Sequence, residues 1–245
     1  MDTEPVRVVV WDEHDPHIPS DVYPKSIRGA IASGLGEFGR TSLQVSCAHI
    51  DQAEQGLCEN LLEQTDVLIW WGHKRHAEVS DLVSQRIVER VRLHGMGFIA
   101  LHSAHYSKPF RNLLGCSAHL RGGWNEEGQT EEIRVCAPTH PIATGLEDFS
   151  LPDEEFYGVP FEVPPAEAVV FQSWFSKSRK HFPSGIVWTV GQGIDPDKPI
   201  TPQGQGDGIG RVFYFRPGHE TVPTYFNSNV QRILYNASRW AAKRD

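Results

Sequence analysis

The chain has 245 residues, of which 39% are hydrophobic and 22% charged, ordinary values for a globular domain with one hydrophobic core. Its formal net charge of −8 supplies no cationic excess for phosphate contacts, which argues against a nucleic-acid or anionic-membrane partner. No apolar run approaches the ~20 residues of a membrane span, and the opening Met1-Asp-Thr-Glu-Pro has no basic stretch leading into an apolar one, so a cytoplasmic location is expected.

Residues 6–11 (VRVVVW) form a continuous β-branched run, the habit of a strand buried on both faces. Helical spacing of Ile27, Ala30, Ile31, Leu35 and Phe38 predicts a helix over 24–39, with Pro24 in its first turn. A strand over 43–48 and a short helix over 59–63 follow. Residues 66–71 (DVLIWW) read as the third strand. A helix over 80–93 comes next, with Leu82, Val83, Ile87, Val88 and Val91 on one face and Asp81 in the first turn, where it complements the helix dipole. Residues 97–101 (GFIAL) are the fourth strand. A helix over 108–114 stops at Gly115, a residue suited to the left-handed C′ position.

This alternation predicts a flavodoxin-like three-layer α/β fold with a mostly parallel central sheet and right-handed crossovers. The second half reads differently. Strands are expected over 129–136, 168–174, 185–190 and 210–215, partly antiparallel, before a closing helix over 229–242. Two Gly- and polar-rich stretches, 115–128 and 191–208, are expected to be flaps. With no internal repeat and no linker, residues 1–245 are read as a single domain. Cys47, Cys58, Cys116 and Cys136 form no CxxC pair. They read as free thiols in a reducing compartment and as small buried hydrophobes. The sequence leaves oligomeric state open, with a homo-oligomer as the general prior.

Ligands of open α/β sheets bind outside the carboxyl ends of the strands. The segments that follow the predicted parallel strands carry Asp12-Glu13-His14, His49, His73 with His76 and Glu78, His102-Ser103 with His105, and Arg216 with His219-Glu220. A histidine-lined rim is therefore expected, with His14, His17 and His49 as bystanders. His102 stands at the strand end and is the stronger candidate for a direct role. Ser103 is read as either a nucleophile or a helix N-cap. His102, His219, Glu155, Glu220 and Ser103 are the candidate catalytic groups. Glu155 alone is equally a cleft residue or a surface charge. Glu13, Trp71, Tyr157, Trp124 and Arg216 are candidate substrate contacts, with Trp174 and Tyr225 as further aromatics for stacking on a sugar ring. The spacings His73-x-x-His76 and His102-x-x-His105 make His73, His76 and His105 candidate ligands of a divalent metal such as Zn2+, although no HExxH or CxxC motif accompanies them.

The segments DVLIWWGHKRHAEV, GFIALHSAHYSKPFRNLLG, DEEFYG and RVFYFRPGHETVPTYFNSNVQRILYNASRWAA together resemble the ThuA-like, or trehalose-utilisation, family over about 6–242. The resemblance implies a class I glutamine amidotransferase-like fold and a cytoplasmic role in disaccharide use. It also implies site residues at His73, His76, His102, His105, Glu155, Tyr157, His219 and Glu220. Glutamine amidotransferases of that wider superfamily carry a nucleophilic Cys at the elbow. Here the elbow reads Leu101-His102-Ser103-Ala104, so no glutaminase activity is expected. The expected function is an enzyme acting on a disaccharide or its keto derivative by His/Glu proton transfer, with or without a metal. The alternatives are a non-catalytic sugar-binding accessory protein and a serine-dependent hydrolase or amidotransferase.

Overall fold

The computed structural model describes residues 4–191 and 210–244. The stretch expected to form the second flap, 191–208, lies outside the described residues apart from Gly191. In chain order the first half holds β1 (Val6–Asp12), α1 (Ile27–Phe38), β2 (Leu43–His49), α2 (Glu59–Glu63), β3 (Val67–Trp71), α3 (Asp81–His94), β4 (Gly97–Leu101) and α4 (Lys108–Leu114). The second half holds β5 (Trp124–Val135), β6 (Phe149–Tyr157), β7 (Ala168–Phe175), β8 (Lys180–Val190), β9 (Gly210–Phe215) and α5 (Ser228–Ala241).

Among the described residues these strands make one sheet in the order β2-β1-β3-β4-β9-β8-β7-β5-β6. The first five are parallel to one another, and the remaining four extend the sheet in antiparallel fashion from β9. The central strands are apolar throughout because helices cover both faces, and alternate residues enter different cores. Val8, Val10, Ile69, Trp71, Ile99 and Leu101 pack beneath α1 and α5. Val9, Trp11, Leu68, Trp70, Phe98 and Ala100 pack beneath α2, α3 and α4. No helix among the described residues is long and apolar enough to cross a membrane.

Local signals place the helix ends. Ser80 Oγ accepts from Val83 N at 3.2 Å to open α3, Ser107 Oγ accepts from Phe110 N at 3.4 Å to open α4, and α4 ends on Gly115 at φ 63°. α1 starts three residues later than its spacing predicts, because Ser26 caps it by accepting from Gly29 N. The second half departs further from expectation. β5 starts at Trp124, not Gln129, so part of the expected first flap is strand. β8 starts at Lys180, and β6 was not foreseen. The cysteines are also less buried than expected: Cys47 and Cys136 are exposed and Cys58 and Cys116 half-buried. Cys47 lies near the end of β2, an edge strand, on the face that carries Leu43 and Val45, with its Sγ 3.7 Å from Arg28 O on α1.

Gly97 marks a close approach of α5 to the sheet. A Cβ there would lie 2.6 Å from Ala241 Cβ and 2.9 Å from Ala241 O, whereas a Cβ at Gly36, on the exposed side of α1, would meet nothing within 4 Å. The same substitution should thus act with opposite sign at the two positions. Gly97→Ala is expected to destabilise by about 1–3 kcal/mol through overpacking, and Gly36→Ala to stabilise by about 0.5–1 kcal/mol through helix propensity. Urea unfolding of both variants measures this; equal effects would show that α5 is not seated on β4 as described.

Candidate active site at the carboxyl edge

The rim is assembled from strand ends that each need a device to turn the chain. After β3, the loop carrying His73 is tied back to β1 by Glu13, whose buried carboxylate accepts from Lys74 N at 2.6 Å and Arg75 N at 2.9 Å. After β4 the chain breaks at His102, which adopts φ 54°. That left-handed conformation is costly for a residue with a Cβ and recurs at functional turns. The His102 ring is wholly buried, lies nearly parallel to Trp71 at 12°, and places Nδ1 3.3 Å from Arg216 O. After β9, Gly218 at φ 122° permits the turn that presents His219. A side chain there would collide with Tyr225. Gly218 O also accepts from Trp71 Nε1 at 3.0 Å, which binds this turn to β3.

Three of the delivered imidazoles meet. The ring centroids of His73, His102 and His219 are 5.2–5.5 Å apart, with planes inclined at 63–88° to one another. Glu220 joins them. Its Oε2 is 2.7 Å from His73 Nδ1 and 3.4 Å from His219 Nε2, and its Oε1 accepts from Lys74 Nζ at 2.9 Å. Burial alone would raise the Glu220 pKa, but His73, His219 and Lys74 outweigh it and hold the carboxylate at about 2. Burial also pulls His73 down, but the Glu220 carboxylate reverses that and the net shift is upward. Burial pushes His102 well below the ordinary histidine range and lowers His219 as well.

Beside this cluster lies a cavity of about 200 Å³, lined by His73, Ser103, His105, Tyr106, Leu120, Trp124, Glu126, Glu155 and Tyr157. Glu155 is 3% exposed, so it is a cleft residue and no surface charge. Its Oε2 lies 3.3 Å from His102 Nε2 and has no aligned hydrogen-bond partner. Burial pushes its pKa up to about 7, against the opposing pull of Arg216 and His73. A carboxyl poised near neutrality can both give and take a proton. At the mouth stands Trp124, 61% exposed. Ser103 Oγ shares a 2.7 Å hydrogen bond with Tyr157 OH. Among the described residues no histidine nitrogen bonds to Ser103, so geometry gives this hydroxyl no base, and the cap that sequence assigned to it belongs to Ser107.

The other expected contacts sit elsewhere. His76 and His105 do not join the cluster: His105 Nδ1 is 2.8 Å from Ala118 O, and burial lowers the two histidines to about 4 and about 3 respectively. His105 does line the cavity. Glu13 holds the His73 loop, and Trp71 is wholly buried behind His102, so neither faces the cavity. Tyr225 is buried too, and Trp174 projects from β7 away from the cavity lining. His14 and His49 pair with each other and with Asp51 in a more open cluster.

Arg216 is the largest departure. It is fully buried, and its guanidinium contacts the carboxylates of Glu131 and Glu154 and donates to Glu155 O at 2.6 Å. Glu131 and Glu154 were not singled out from sequence. The adjacent pair Glu154-Glu155 in a strand held the available signal, because neighbours on a strand face opposite sides. Glu154 meets Arg216 and Thr224, and Glu155 meets the cavity. Burial raises Glu131 to about 7 and raises Glu154 as well.

Comparison with known proteins agrees with this architecture. The family model described as ThuA, trehalose utilisation, matches residues 7–241. No curated protein gives a significant sequence match. A ThuA-like protein from Parabacteroides merdae superposes with a TM-score of 0.66 at 13% identity, covering 98% of this chain and 90% of that one. Another from Bacteroides uniformis gives 0.64 at 14% identity, covering 97% and 92%. A glutamine amidotransferase from Thermotoga maritima gives 0.54 at 10% identity, covering 98% and 100%. At these identities the likeness is one of fold.

Two carboxylates share one guanidinium, so one of them can be neutral without loss. Arg216→Met is expected to cost about 3–5 kcal/mol, because a buried charge loses its partner, whereas Glu131→Gln should cost under about 1.5 kcal/mol, keeping its hydrogen bonds. The raised pKa of Glu131 means that the folded state holds a proton that the unfolded chain releases above 4.5, so the corresponding stability is present at low pH and is lost as pH rises through about 7. Urea unfolding at pH 5 and pH 8 should show a smaller drop in Glu131→Gln. An equal cost for the two substitutions would mean that both carboxylates are ionised and required.

Proposed function

Because the chain belongs to the ThuA, or trehalose-utilisation, family, we propose that it is an enzyme of carbohydrate catabolism that takes one ring of a disaccharide, or of its keto derivative, into the rim cavity and moves a proton with Glu155. The observation that carries this reading is the buried Glu155 carboxyl: Oε2 is free of aligned partners, lines the cavity and lies beside His102. Buried polar atoms without partners are rare in native proteins and mark places where a ligand completes the bonding. At about 200 Å³ the cavity is smaller than the roughly 300–1,000 Å³ of pockets that engulf drug-sized ligands. One ring fits inside, and the second would rest at the mouth against Trp124, whose exposed indole offers a flat apolar face.

Proton transfer next to a ring carbonyl or hydroxyl suits this constellation. Glu155 would act at the substrate, and Tyr157 and Ser103, bonded to each other, would supply hydroxyls that hydrogen-bond the sugar. A covalent glutaminase route has no support, since the elbow residue is His102 and none of the four cysteines stands there. The exposed Trp124 is equally what a sugar-binding accessory protein would present, and this is the second reading.

One experiment separates the two. Trehalose and keto disaccharides are incubated with the protein in D2O, and substrate loss and hydrogen exchange are followed by NMR. The enzyme reading expects turnover that falls about 10²–10⁴-fold in Glu155→Gln, with ligand affinity kept, and a higher KM at similar kcat in Trp124→Ala. Binding with no turnover or exchange by the unaltered protein supports the accessory reading. Neither binding nor turnover of these sugars would remove both.

A further inference from the structure

We propose that His73, His102, His219 and Glu220 bind one divalent first-row transition-metal ion of the Zn2+ kind at the inner wall of the cavity. One ligand atom from each of these four residues lies within 4.8 Å of the other three. Each of those side chains has a buried atom without an aligned hydrogen-bond partner: His73 Nδ1, His102 Nε2, His219 Nε2 and Glu220 Oε2. His73 Nδ1 and Glu220 Oε2 are only 2.7 Å apart, yet neither has an aligned partner, so they aim past each other. Four buried ligand atoms that converge without aligned hydrogen bonds among them leave a common point between them, and a cation there would satisfy all four at once.

Ring orientation agrees. Three imidazoles at nearly equal spacing, with planes steeply inclined to one another, form an open tripod. The far-side atoms of three of the four ligands are already held. His102 Nδ1 faces Arg216 O at 3.3 Å, His219 Nδ1 faces Thr221 Oγ1 at 2.8 Å, and Glu220 Oε1 accepts from Lys74. Such outer contacts fix the tautomer and aim the remaining lone pair at a metal. Three nitrogens and one carboxylate oxygen favour Zn2+, Co2+ or Fe2+ over the all-oxygen preferences of Mg2+ and Ca2+. The ligand set differs from the spacing pairs in the sequence, because residues three apart on one turn diverge while residues at separate strand ends converge. His14, His49 and Asp51 form a second grouping, but Asp51 is already engaged by Arg75 and His14, and the set is open to solvent.

Metal uptake is read without any sugar, so this inference can fail while the carbohydrate reading stands, and the reverse. Chelator-treated full-length protein is titrated with Co2+ and then Zn2+. The expected result is one Co2+ per chain with visible d–d absorption, no thiolate charge-transfer band, and displacement by Zn2+. His219→Ala and Glu220→Gln, checked for folding by circular dichroism, should each weaken Co2+ binding by more than about 100-fold, the upper range for loss of a mere supporting partner. His76→Ala and His49→Ala should bind as the unaltered protein does. Absence of a Co2+ spectrum in the folded unaltered protein, unchanged affinity in both His219→Ala and Glu220→Gln, or loss of binding in His49→Ala would each overturn the site.

Discussion

A guanidinium shut away from water must find negative charge, and the placement of Arg216 follows from that requirement. Arg216 leaves the end of β9, the last parallel strand, and reaches the carboxylates of Glu131 on β5 and Glu154 on β6. Those strands lie three and four places along the sheet from β9. The ion cluster therefore ties the far antiparallel extension to the parallel core. Its bond to the Glu155 carbonyl sets the height of that residue against His102. Thr224 donates to Glu154, and Gly218 N does so at 3.2 Å, so the turn that carries His219 is drawn into the same knot. Removing any member would loosen the floor on which the rim is built.

Above this knot, strain and aromatic packing set the imidazoles. His102 holds a left-handed backbone conformation beside Trp71 and Tyr157, whose rings lie at 12° and 29° to its own. Its Nδ1 faces Arg216 O and its Nε2 faces Glu155 and the cluster. A chain that tolerates an unfavourable φ at that point gains a fixed imidazole direction in return, which is how strained residues are commonly used at functional turns.

The parallel half was legible because its physics is local. Continuous β-branched runs, helical spacing, Ser caps and the Gly115 stop each act within a few residues, and β1, β3, β4 and α4 fall close to their expected bounds. The rim was legible for the same reason, since strand polarity alone sends His73, His102 and His219 to one edge. The antiparallel half obscured its pattern. β6 runs Phe-Ser-Leu-Pro-Asp-Glu-Glu-Phe-Tyr, and two of its buried positions are glutamates, so no apolar alternation announces it. The burial of Glu154 is made tolerable by Arg216, more than 60 residues away, and no local window contains that partner. The partners of Arg216 and Glu13 are hidden from local sequence for the same reason: each is a charged residue at a strand end whose partners come from distant segments. The spacing of His76 and His105 drew attention for a metal, but spacing along one turn does not report which way each ring points.

The register of β5 against β6 has its own consequence. Trp124 pairs with Tyr157 and Asn125 with Phe156, so one hairpin edge presents the indole at the cavity mouth, while the next residues along β6 carry Glu155. The imidazoles come from a different part of the sheet. The entrance aromatic and the histidine cluster thus sit on separable parts of the sheet. Changes in length or side chains at the start of β5 can reshape the entrance and alter which molecules are admitted, and the histidine framework beneath stays where the parallel strands put it.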